Sequence, residues 1–409
     1  MTLADADPAA PVPAAGALPH SGLDQAEVRG AIVVERTERG LLPRRLGPRE
    51  WKQIPDDFML ASVSQSAGIR LAFRTTATVI ELGVLATKMI ESETAPMPDA
   101  HYELVVDGEL VQTRASAAGN RFVFTFERPE AYIVPGEPDT LRFDGLAAVD
   151  KEVELWLPYT DEVELLDLRA DAPIEPPTPA TGLRWLHHGS SISHGYIASR
   201  TSNTWPVAAA RASGTELTSV AYSGNALLDP LTARTMRDAP ADVVSVKIGI
   251  NIVNGDMMRL RIFRTAVHGF LDLIRDGHPT EPLIVISPIF CAPVEESAGP
   301  TVQDPTRTDT WTIASGTPEQ VAEGKLSLSV IRAELERIVR ERAVDDANLH
   351  YLDGLRLYGP EEAERWPLPD NLHPGDDVNA LIAERFVRHV FGPSGLLQLR
   401  GSVGGFVGG

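Results

Sequence analysis

The chain has 409 residues, of which 43% are hydrophobic and 23% are charged, a balance typical of globular proteins. Its 57 acidic and 37 basic residues give a formal net charge of −20, which repels phosphate backbones and anionic lipid headgroups. We therefore expect neither nucleic acid nor a membrane surface as a partner, and the length favours two domains.

The first segment, residues 1–27, is rich in Ala and Pro. It lacks the basic start and apolar core of a secretory signal, so we expect a disordered leader. No uninterrupted apolar run approaches the roughly 20 residues that span a bilayer. The single cysteine, Cys291, can form no internal disulfide, which is typical of a reducing compartment. These features predict a cytoplasmic protein and leave its oligomeric state open.

Residues 28–170 carry apolar side chains at every second position, as in the run around Leu71 and Phe73. Asp107-Gly108 interrupts another such run and is the strongest short hairpin signal. No convincing helical period occurs in this region. Several short strands separated by turn signals predict an all-β sandwich, similar to a jelly roll.

Four prolines lie within residues 171–182, which predicts a stiff, extended linker between two domains. After the linker, short apolar and β-branched runs alternate with helical stretches. This order predicts an α/β domain over residues 183–395, with a parallel sheet covered on both faces. The Gly-rich tail, residues 396–409, is expected to be flexible.

The helical stretches show the expected spacing of apolar residues. Phe263, Val267, Phe270 and Ile274 are spaced by 4, 3 and 4 residues and form one helical stripe. Parallel sheets of this kind carry their functional sites at the carboxyl ends of the strands. We therefore expect the functional residues to lie directly after the predicted strands.

The first predicted strand of this domain runs into the stretch Gly-Ser-Ser-Ile-Ser-His-Gly, with Ser191 as its third residue. A serine at a strand-to-helix turn points its hydroxyl out of the sheet, beside the free N–H groups of the following helix. The stretch does not follow the G-x-S-x-G pattern of α/β-hydrolases. Taken alone, it could equally be a Gly/Ser turn without chemistry.

Three later stretches also place candidate residues next to predicted strands or helices. Gly224 comes after the second strand, Asn251 after the third, and Asp370 and His373 precede the last helix. Each alone could be a turn glycine, a turn residue, a helix cap or a surface histidine. Together and in this order, the four stretches resemble the signature blocks of the GDSL/SGNH family of serine esterases and acyltransferases. The resemblance covers residues 183 to about 392 and implies a flavodoxin-like, three-layer αβα fold.

The resemblance implies a role for each matching residue. Ser191 aligns with the nucleophile, His373 with the general base, and Asp370 with the carboxylate that orients the base. The oxyanion hole aligns with the backbone N–H groups of Ser191 and Gly224 and the side-chain amide of Asn251.

Two positions depart from the family pattern. The Asp of the first block is Ser190 here, and the Asp of the third block is Ile252. Neither belongs to the catalytic set of the family. The departures therefore put in doubt the hydrogen bonding around the nucleophile and leave the assigned roles unchanged.

Other chemically versatile residues have simpler interpretations. His187 and His188 end an apolar run with no carboxylate at helical spacing, so we expect them to be structural or to line a pocket. His194 is a weaker candidate base, too close in sequence to Ser191. Cys291 is expected to be a half-buried thiol at the end of a strand. We expect no metal and no cofactor.

The predicted reaction is acyl transfer through an acyl-serine intermediate on a small-molecule ester or thioester. Water as acceptor would make an esterase, and an alcohol would make an acyltransferase. Two-domain members of the family include carbohydrate esterases and enzymes that take aryl-acyl groups from coenzyme A, so an acyl-coenzyme A could be the donor. The alternatives are a carbohydrate deacetylase of the secreted type and a non-catalytic module that binds a glycan or a partner. Loops of residues 28–170 are expected to border the mouth above Ser191.

Overall fold

A computed structural model describes residues 18–397 of the chain. Residues 1–17 of the predicted leader and 398–409 of the predicted tail lie outside the described residues. The strands of the amino-terminal region are β1 (His20–Ser21), β2 (Glu27–Arg29), β3 (Val33–Arg36), β4 (Leu41–Arg44), β5 (Arg70–Thr75), β6 (Ile80–Ile90), β7 (Ala100–Val106), β8 (Glu109–Ser116), β9 (Asn120–Thr125), β10 (Arg128–Val134), β11 (Asp139–Phe143), β12 (Lys151–Trp156), β13 (Asp161–Ala170) and β14 (Ile174–Glu175).

These strands form two sheets. The first has the order β10-β9-β6-β13-β4-β3, with β1 beside β13 and β11 beside β6, and the second has the order β14-β5-β12-β7-β8, with β2 beside β5. Apolar side chains from both sheets share one buried cluster, which includes Phe73, Leu82, Leu104 and Leu165. The predicted sandwich is confirmed, and Asp107-Gly108 forms the turn between β7 and β8, with both φ angles positive.

The structure differs from the sequence prediction at the edges of the sandwich. β1 and the first residue of β2 lie inside the segment expected to be a leader. β14 lies inside the segment expected to be a linker and pairs with β5. Backbone hydrogen bonding to existing strands accounts for both differences, and in β14 burial of Ile174 in the core of the sandwich adds to it.

The helices are α1 (Pro48–Trp51), α2 (Asp57–Ser64), α3 (Ser191–His194), α4 (Trp205–Ser213), α5 (Pro230–Asp238), α6 (Ile250–Asn254), α7 (Leu260–Arg275), α8 (Pro318–Ala322), α9 (Leu328–Arg342), α10 (Pro360–Arg365) and α11 (Asp376–Val390). Short 3₁₀ turns cover Thr201–Asn203, Ala292–Val294 and Gly354–Arg356. Helix α2 was not expected within the sandwich region. It forms because Asp56 caps its amino terminus and because it buries Met59 and Val63.

The carboxy-terminal region contains the strands β15 (Arg184–Gly189), β16 (Glu216–Ser219), β17 (Val243–Lys247), β18 (Leu283–Ile286), β19 (Thr301–Gln303), β20 (Thr312–Ala314) and β21 (Leu349–Leu352). Five of them form a parallel sheet of order β16-β15-β17-β18-β21, and β19 pairs with β20 as a separate hairpin. This is the flavodoxin-like order, as predicted. Helix α4 contacts α11, whereas α7 contacts α5 and α9, so the sheet lies between two helical layers.

The core of the carboxy-terminal region extends into the amino-terminal one. Leu46, Met59, Val63 and Trp156 belong to the same buried cluster as the side chains of the parallel sheet. Polar contacts also cross the boundary: the Tyr159 hydroxyl donates to the Ala198 carbonyl at 2.7 Å. A buried apolar interface of this kind prevents the two regions from moving independently.

His188 lies at the centre of this sheet, on β15, and is fully buried. Its Nδ1 lies 2.7 Å from the Val220 carbonyl oxygen, which makes Nδ1 the protonated nitrogen. Within residues 18–397 its Nε2 has no hydrogen-bond partner. Burial lowers the pKa of His188 to about 4, and burial also places the pKa of neighbouring His187 well below its ordinary value. Both imidazoles are therefore neutral in the folded protein at neutral pH.

The unfolded chain binds a proton at His188 near pH 6.5, whereas the folded chain does so only near pH 4. Stability must therefore fall as the pH falls through this window. We expect His188 alone to lower the free energy of unfolding by about 1.4 kcal/mol between about pH 7.5 and about pH 5.5. Urea titrations of the wild-type protein and of His188→Asn would measure this contribution. The variant should be less stable at neutral pH but lose less stability on acidification, and an identical loss in both proteins would contradict the assignment.

Candidate active site

The residues singled out from the sequence lie together at the carboxyl edge of the parallel sheet. Ser191 follows β15, Gly224 follows β16, and Asn251 follows β17. Asp370 and His373 lie between β21 and α11. A parallel sheet brings these segments together because the carboxyl ends of all its strands lie at the same edge.

Ser191 is the first residue of α3, directly after β15 ends at Gly189. The Ser190 hydroxyl caps the helix and accepts from the Ile192 N–H at 3.3 Å. Ser190, which stands where the family pattern has Asp, therefore supplies a capping oxygen as an aspartate would. As the first helical residue, Ser191 also has a backbone N–H without an acceptor inside the helix.

Asp370 and His373 are held by a tight turn. Asp370 Oδ1 accepts from the backbone N–H groups of Leu372 at 3.0 Å and His373 at 2.6 Å. Asn371 between them has a φ of 64°, a left-handed conformation that Asn tolerates better than most residues. Its side-chain amide donates to the Thr312 carbonyl at 2.8 Å, so the β19–β20 hairpin supports the turn.

A hydrogen-bond chain joins the three side chains. Ser191 Oγ lies 2.9 Å from His373 Nε2, and His373 Nδ1 lies 2.6 Å from Asp370 Oδ2. Burial opposes ionisation of Asp370, but the hydrogen bonds and charge of His373 outweigh it, so the pKa of this carboxyl lies below its usual value. The ionised carboxylate accepts a hydrogen bond from the Nδ1–H of His373, which leaves Nε2 free to accept the serine proton.

Asn251 is oriented by its side-chain oxygen. Oδ1 accepts from the Ala226 backbone N–H at 3.0 Å, which directs the NH₂ group the other way. Within the described part of the chain this NH₂ group has no acceptor. Gly224 lies in the same loop as Ala226, with a φ of 72°. A Cβ atom at Gly224 would lie 2.6 Å from Phe58 Cζ, so both the conformation and the space require glycine.

His194 holds the loop that carries Gly224. Its Nε2 lies 2.9 Å from the Tyr159 carbonyl oxygen, and its Nδ1 accepts from the Ser223 N–H at 3.1 Å. Burial, together with the charge of Arg45, lowers the pKa of His194 well below its ordinary value. Both nitrogens are occupied by backbone groups, so His194 is unavailable as the base for Ser191. Its contacts instead connect the sandwich, through Tyr159, to the residue before Gly224.

Arg45 holds the same loop from the other side and was missed by sequence reasoning. Its guanidinium is fully buried and donates to three carbonyl oxygens: Ala221 at 2.6 Å, Gln65 at 2.5 Å, and Ser62. The Tyr222 hydroxyl donates in return to the Arg45 carbonyl at 2.8 Å. Burial lowers the pKa of Arg45 to about 10, so it stays charged at neutral pH. No local sequence signal marks a residue whose partners are so distant in the chain.

The remaining candidates lie in the core. His187 is fully buried and contacts the Ser245 hydroxyl through Nδ1 at 2.8 Å. Cys291 is buried rather than half-buried, because its loop packs beneath the turn of Asp370, and its Sγ donates to the Asn371 carbonyl at 3.5 Å. Burial raises the pKa of this thiol to about 12, so it remains protonated.

Among residues 18–397, no three or more His, Cys, Asp or Glu side chains come together in an arrangement that could hold a metal ion. In the same part of the chain, no helix is both long enough and apolar enough to cross a membrane.

Comparisons with known proteins agree with this fold. Residues 185–352 match the model of the GDSL-like lipase/acylhydrolase family. A salicylyl-acyltransferase, SsfX3, from a tetracycline biosynthetic pathway shares 27% identity, with a TM-score of 0.74 over 92% of this chain and 96% of that chain. A sequence comparison with curated proteins gave no significant match.

Two more distant structures share the fold. A protein from Bacteroides ovatus ATCC 8483, described as a GDSL-like lipase, has 19% identity and a TM-score of 0.63 over 90% of this chain and 94% of that chain. An active-site mutant of a family two carbohydrate esterase from Clostridium thermocellum has 12% identity and a TM-score of 0.57, over 90% of this chain and 99% of that chain. Both alignments span the sandwich as well as the parallel sheet.

Fold, site and comparisons together define an enzyme of the esterase and acyltransferase class. More particularly, residues 185–352, which contain nearly all of the parallel sheet, are similar to the GDSL-like lipase/acylhydrolase family.

The two backbone contacts of His194 predict a positioning role. His194→Phe retains a ring but removes both contacts, which would loosen the loop of Gly224. We expect kcat to fall about tenfold or more with little change in KM, because displaced oxyanion donors act mainly on the transition state. Steady-state kinetics and the rate of Ser191 labelling by a fluorophosphonate, both corrected for the folded fraction, would measure this effect. An unchanged kcat in folded protein would rule out the role.

Proposed function

We propose that Ser191 is the nucleophile of an acyl-transfer reaction, with His373 as general base and Asp370 as its orienting carboxylate. The observation that carries the proposal is the buried hydrogen-bond chain of 2.9 Å and 2.6 Å through these three side chains. A serine hydroxyl is a weak nucleophile and needs such a base at the moment of attack.

In the first half-reaction, Ser191 Oγ attacks the carbonyl carbon of an ester or thioester and His373 Nε2 takes its proton. The negative charge moves to the carbonyl oxygen, towards the N–H groups of Ser191 and Gly224 and the side-chain amide of Asn251. One such donor contributes about 3–4 kcal/mol to transition-state stabilisation. His373 then returns the proton to the leaving alcohol or thiol, and the acyl-serine remains.

In the second half-reaction, an acceptor hydroxyl loses its proton to His373 and attacks the carbonyl carbon of the acyl-serine. The bond between this carbon and Ser191 Oγ then breaks, His373 returns the proton to Ser191 Oγ, and the new ester leaves. We propose that this acceptor is the hydroxyl of a small-molecule alcohol and that the donor is a thioester, with an acyl-coenzyme A as a candidate. The similarity to the salicylyl-acyltransferase, at 27% identity, supports transfer over hydrolysis. We further propose a cytoplasmic reaction, on the sequence features alone.

Deacetylation of carbohydrates is the second candidate function. It is favoured by the likeness in fold to carbohydrate esterases, although the identity of 12% in the example above supports no more than the fold. A purely binding function is disfavoured, because a binding module needs no hydrogen-bonded Ser–His–Asp chain.

Removing the proposed nucleophile should abolish turnover. Ser191→Ala eliminates the covalent route, so we expect kcat to fall about 10⁴-fold or more while the melting temperature stays near that of the wild type. Ser190→Ala is the matched control: it removes only the helix cap and should be much milder. Rates are measured by thiol release from an acyl thioester, and labelling by a fluorophosphonate should disappear only in Ser191→Ala. Near-normal turnover by Ser191→Ala would refute the assignment.

The acceptor can be identified by product analysis. With an aryl-acyl thioester as donor, we expect added alcohols to yield ester at the expense of free acid, because both acceptors compete for one acyl-serine. Mass spectrometry would quantify ester and acid, with Ser191→Ala as the control for uncatalysed transfer. Free acid as the sole product for every alcohol tested would identify a hydrolase, and rapid acetate release from acetylated sugars would favour the deacetylase.

A further inference from the structure

An exposed phenylalanine stands at the tip of a hairpin in the sandwich. Phe126 lies in the turn between β9 and β10 and exposes 78% of its surface. Tight turns usually carry Gly, Asn, Asp or Ser. A large apolar ring at this position is costly in water, and the folded sandwich does not cover it.

Phe126 belongs to an aromatic cluster that consists of Phe58, Phe124 and Phe126. The rings of Phe58 and Phe126 are 5.0 Å apart and tilted by 59°, and those of Phe124 and Phe126 are 5.4 Å apart, nearly edge to face. Phe58 and Phe124 stack at 5.8 Å. These separations lie within the range in which aromatic rings attract one another. Phe124 is buried and Phe58 is half-buried, so the cluster runs from the core to an exposed ring.

The aromatic cluster contacts the proposed oxyanion hole through Phe58. The ring of Phe58 occupies the space into which a side chain at Gly224 would project. Gly224 carries one of the backbone N–H groups assigned to the oxyanion. The cluster therefore extends from Gly224 to solvent, on the sandwich side of the site.

The position of the cluster is fixed by hydrogen bonds. Asp56 caps α2, the helix of Phe58, by accepting from the Met59 N–H at 2.8 Å. Asp57 Oδ2 accepts from the Ala131 N–H at 2.7 Å, which ties α2 to β10. A surface that is already ordered loses little further conformational entropy when it binds a ligand.

We propose that the aromatic cluster is a subsite for a flat aromatic acyl group, so that the preferred donor is an aryl-acyl rather than an alkyl-acyl ester or thioester. This proposal rests on the acyl-transfer function proposed above. A planar ring can stack on Phe126 and cover the apolar surface that the turn leaves in water. The acyl carbonyl can then reach the N–H of Gly224, beside Phe58.

The required proton transfers indicate that the acyl group, and not the alcohol, binds at the aromatic cluster. His373 must give its proton to the leaving group and take one from the incoming alcohol, so both bind on the histidine side. The ring lying on His373 is that of Tyr196, at 4.6 Å and half exposed, and it comes from a different part of the chain. The cluster, which contacts the oxyanion residue Gly224 instead, is left for the acyl group.

The test compares acyl groups on one non-aromatic leaving group. Benzoyl, hexanoyl and acetyl thioesters of N-acetylcysteamine are assayed with the wild type, Phe126→Ala and Phe126→Leu. We expect Phe126→Ala to lower kcat/KM about tenfold for benzoyl and less than about twofold for acetyl, because only the larger group reaches the ring. Compared with Phe126→Ala, Phe126→Leu should restore kcat/KM for the hexanoyl thioester but restore little of it for the benzoyl thioester.

Two controls make the outcome decisive. Val344→Ala removes another exposed apolar side chain, 82% exposed, which lies between α9 and β21 at the opposite edge of the sheet and should change nothing. Phenyl acetate places the ring in the alcohol instead, and a loss confined to this ester would overturn the acyl assignment. Equal losses for benzoyl and acetyl, or no loss, would overturn the subsite. Fluorophosphonate labelling of Ser191 in each variant separates these results from failure of the acyl-transfer function itself.

Discussion

The buried guanidinium of Arg45 joins the two halves of the molecule at the site. Arg45 directly follows β4 of the sandwich, and its guanidinium donates to the carbonyl of Ala221, three residues before Gly224. Within residues 18–397 no carboxylate forms an ion pair with it; carbonyl oxygens of Ser62 and Gln65 complete its hydrogen bonding. A charge buried without such hydrogen bonds would cost several kcal/mol. The planar, five-donor fork of arginine suits this role, because it directs its N–H groups at several acceptors in fixed directions.

The geometry of the site depends on this junction. The loop that carries Gly224 has no regular structure of its own and is held by Arg45 at Ala221 and by His194 at Ser223. Both anchors lead to the sandwich, His194 through the carbonyl of Tyr159. The amino-terminal region thus acts as a structural part of the active site. A serine, a base and a carboxylate could be placed by the parallel sheet alone, but the oxyanion loop could not.

The residues proposed to bind and to convert the substrate are likewise divided between the sandwich and the parallel sheet. The proposed reacting groups, Ser191, His373 and Asp370, lie at the carboxyl edge of the parallel sheet. The sandwich supplies Phe58 and Phe126, which have no counterpart in the catalytic motifs. Selectivity for the acyl group would then change through the sandwich without disturbing the hydrogen-bond chain of Ser191, because the two sets of residues lie on separate elements.

The sequence by itself determined the two fold classes, and it supplied the candidate site residues Ser191, Gly224, Asn251, Asp370 and His373 in their order along the chain. This was possible because apolar periods, Gly and Asn turns and helix caps act over a few residues. It did not predict that the linker adds a strand to the sandwich, that α2 forms, or that Arg45 and Phe58 reach the site. Arg45 and Ala221 are 176 positions apart. Only the tertiary structure brings such groups into contact, because their attraction arises from shared burial and leaves no pattern in the neighbouring sequence.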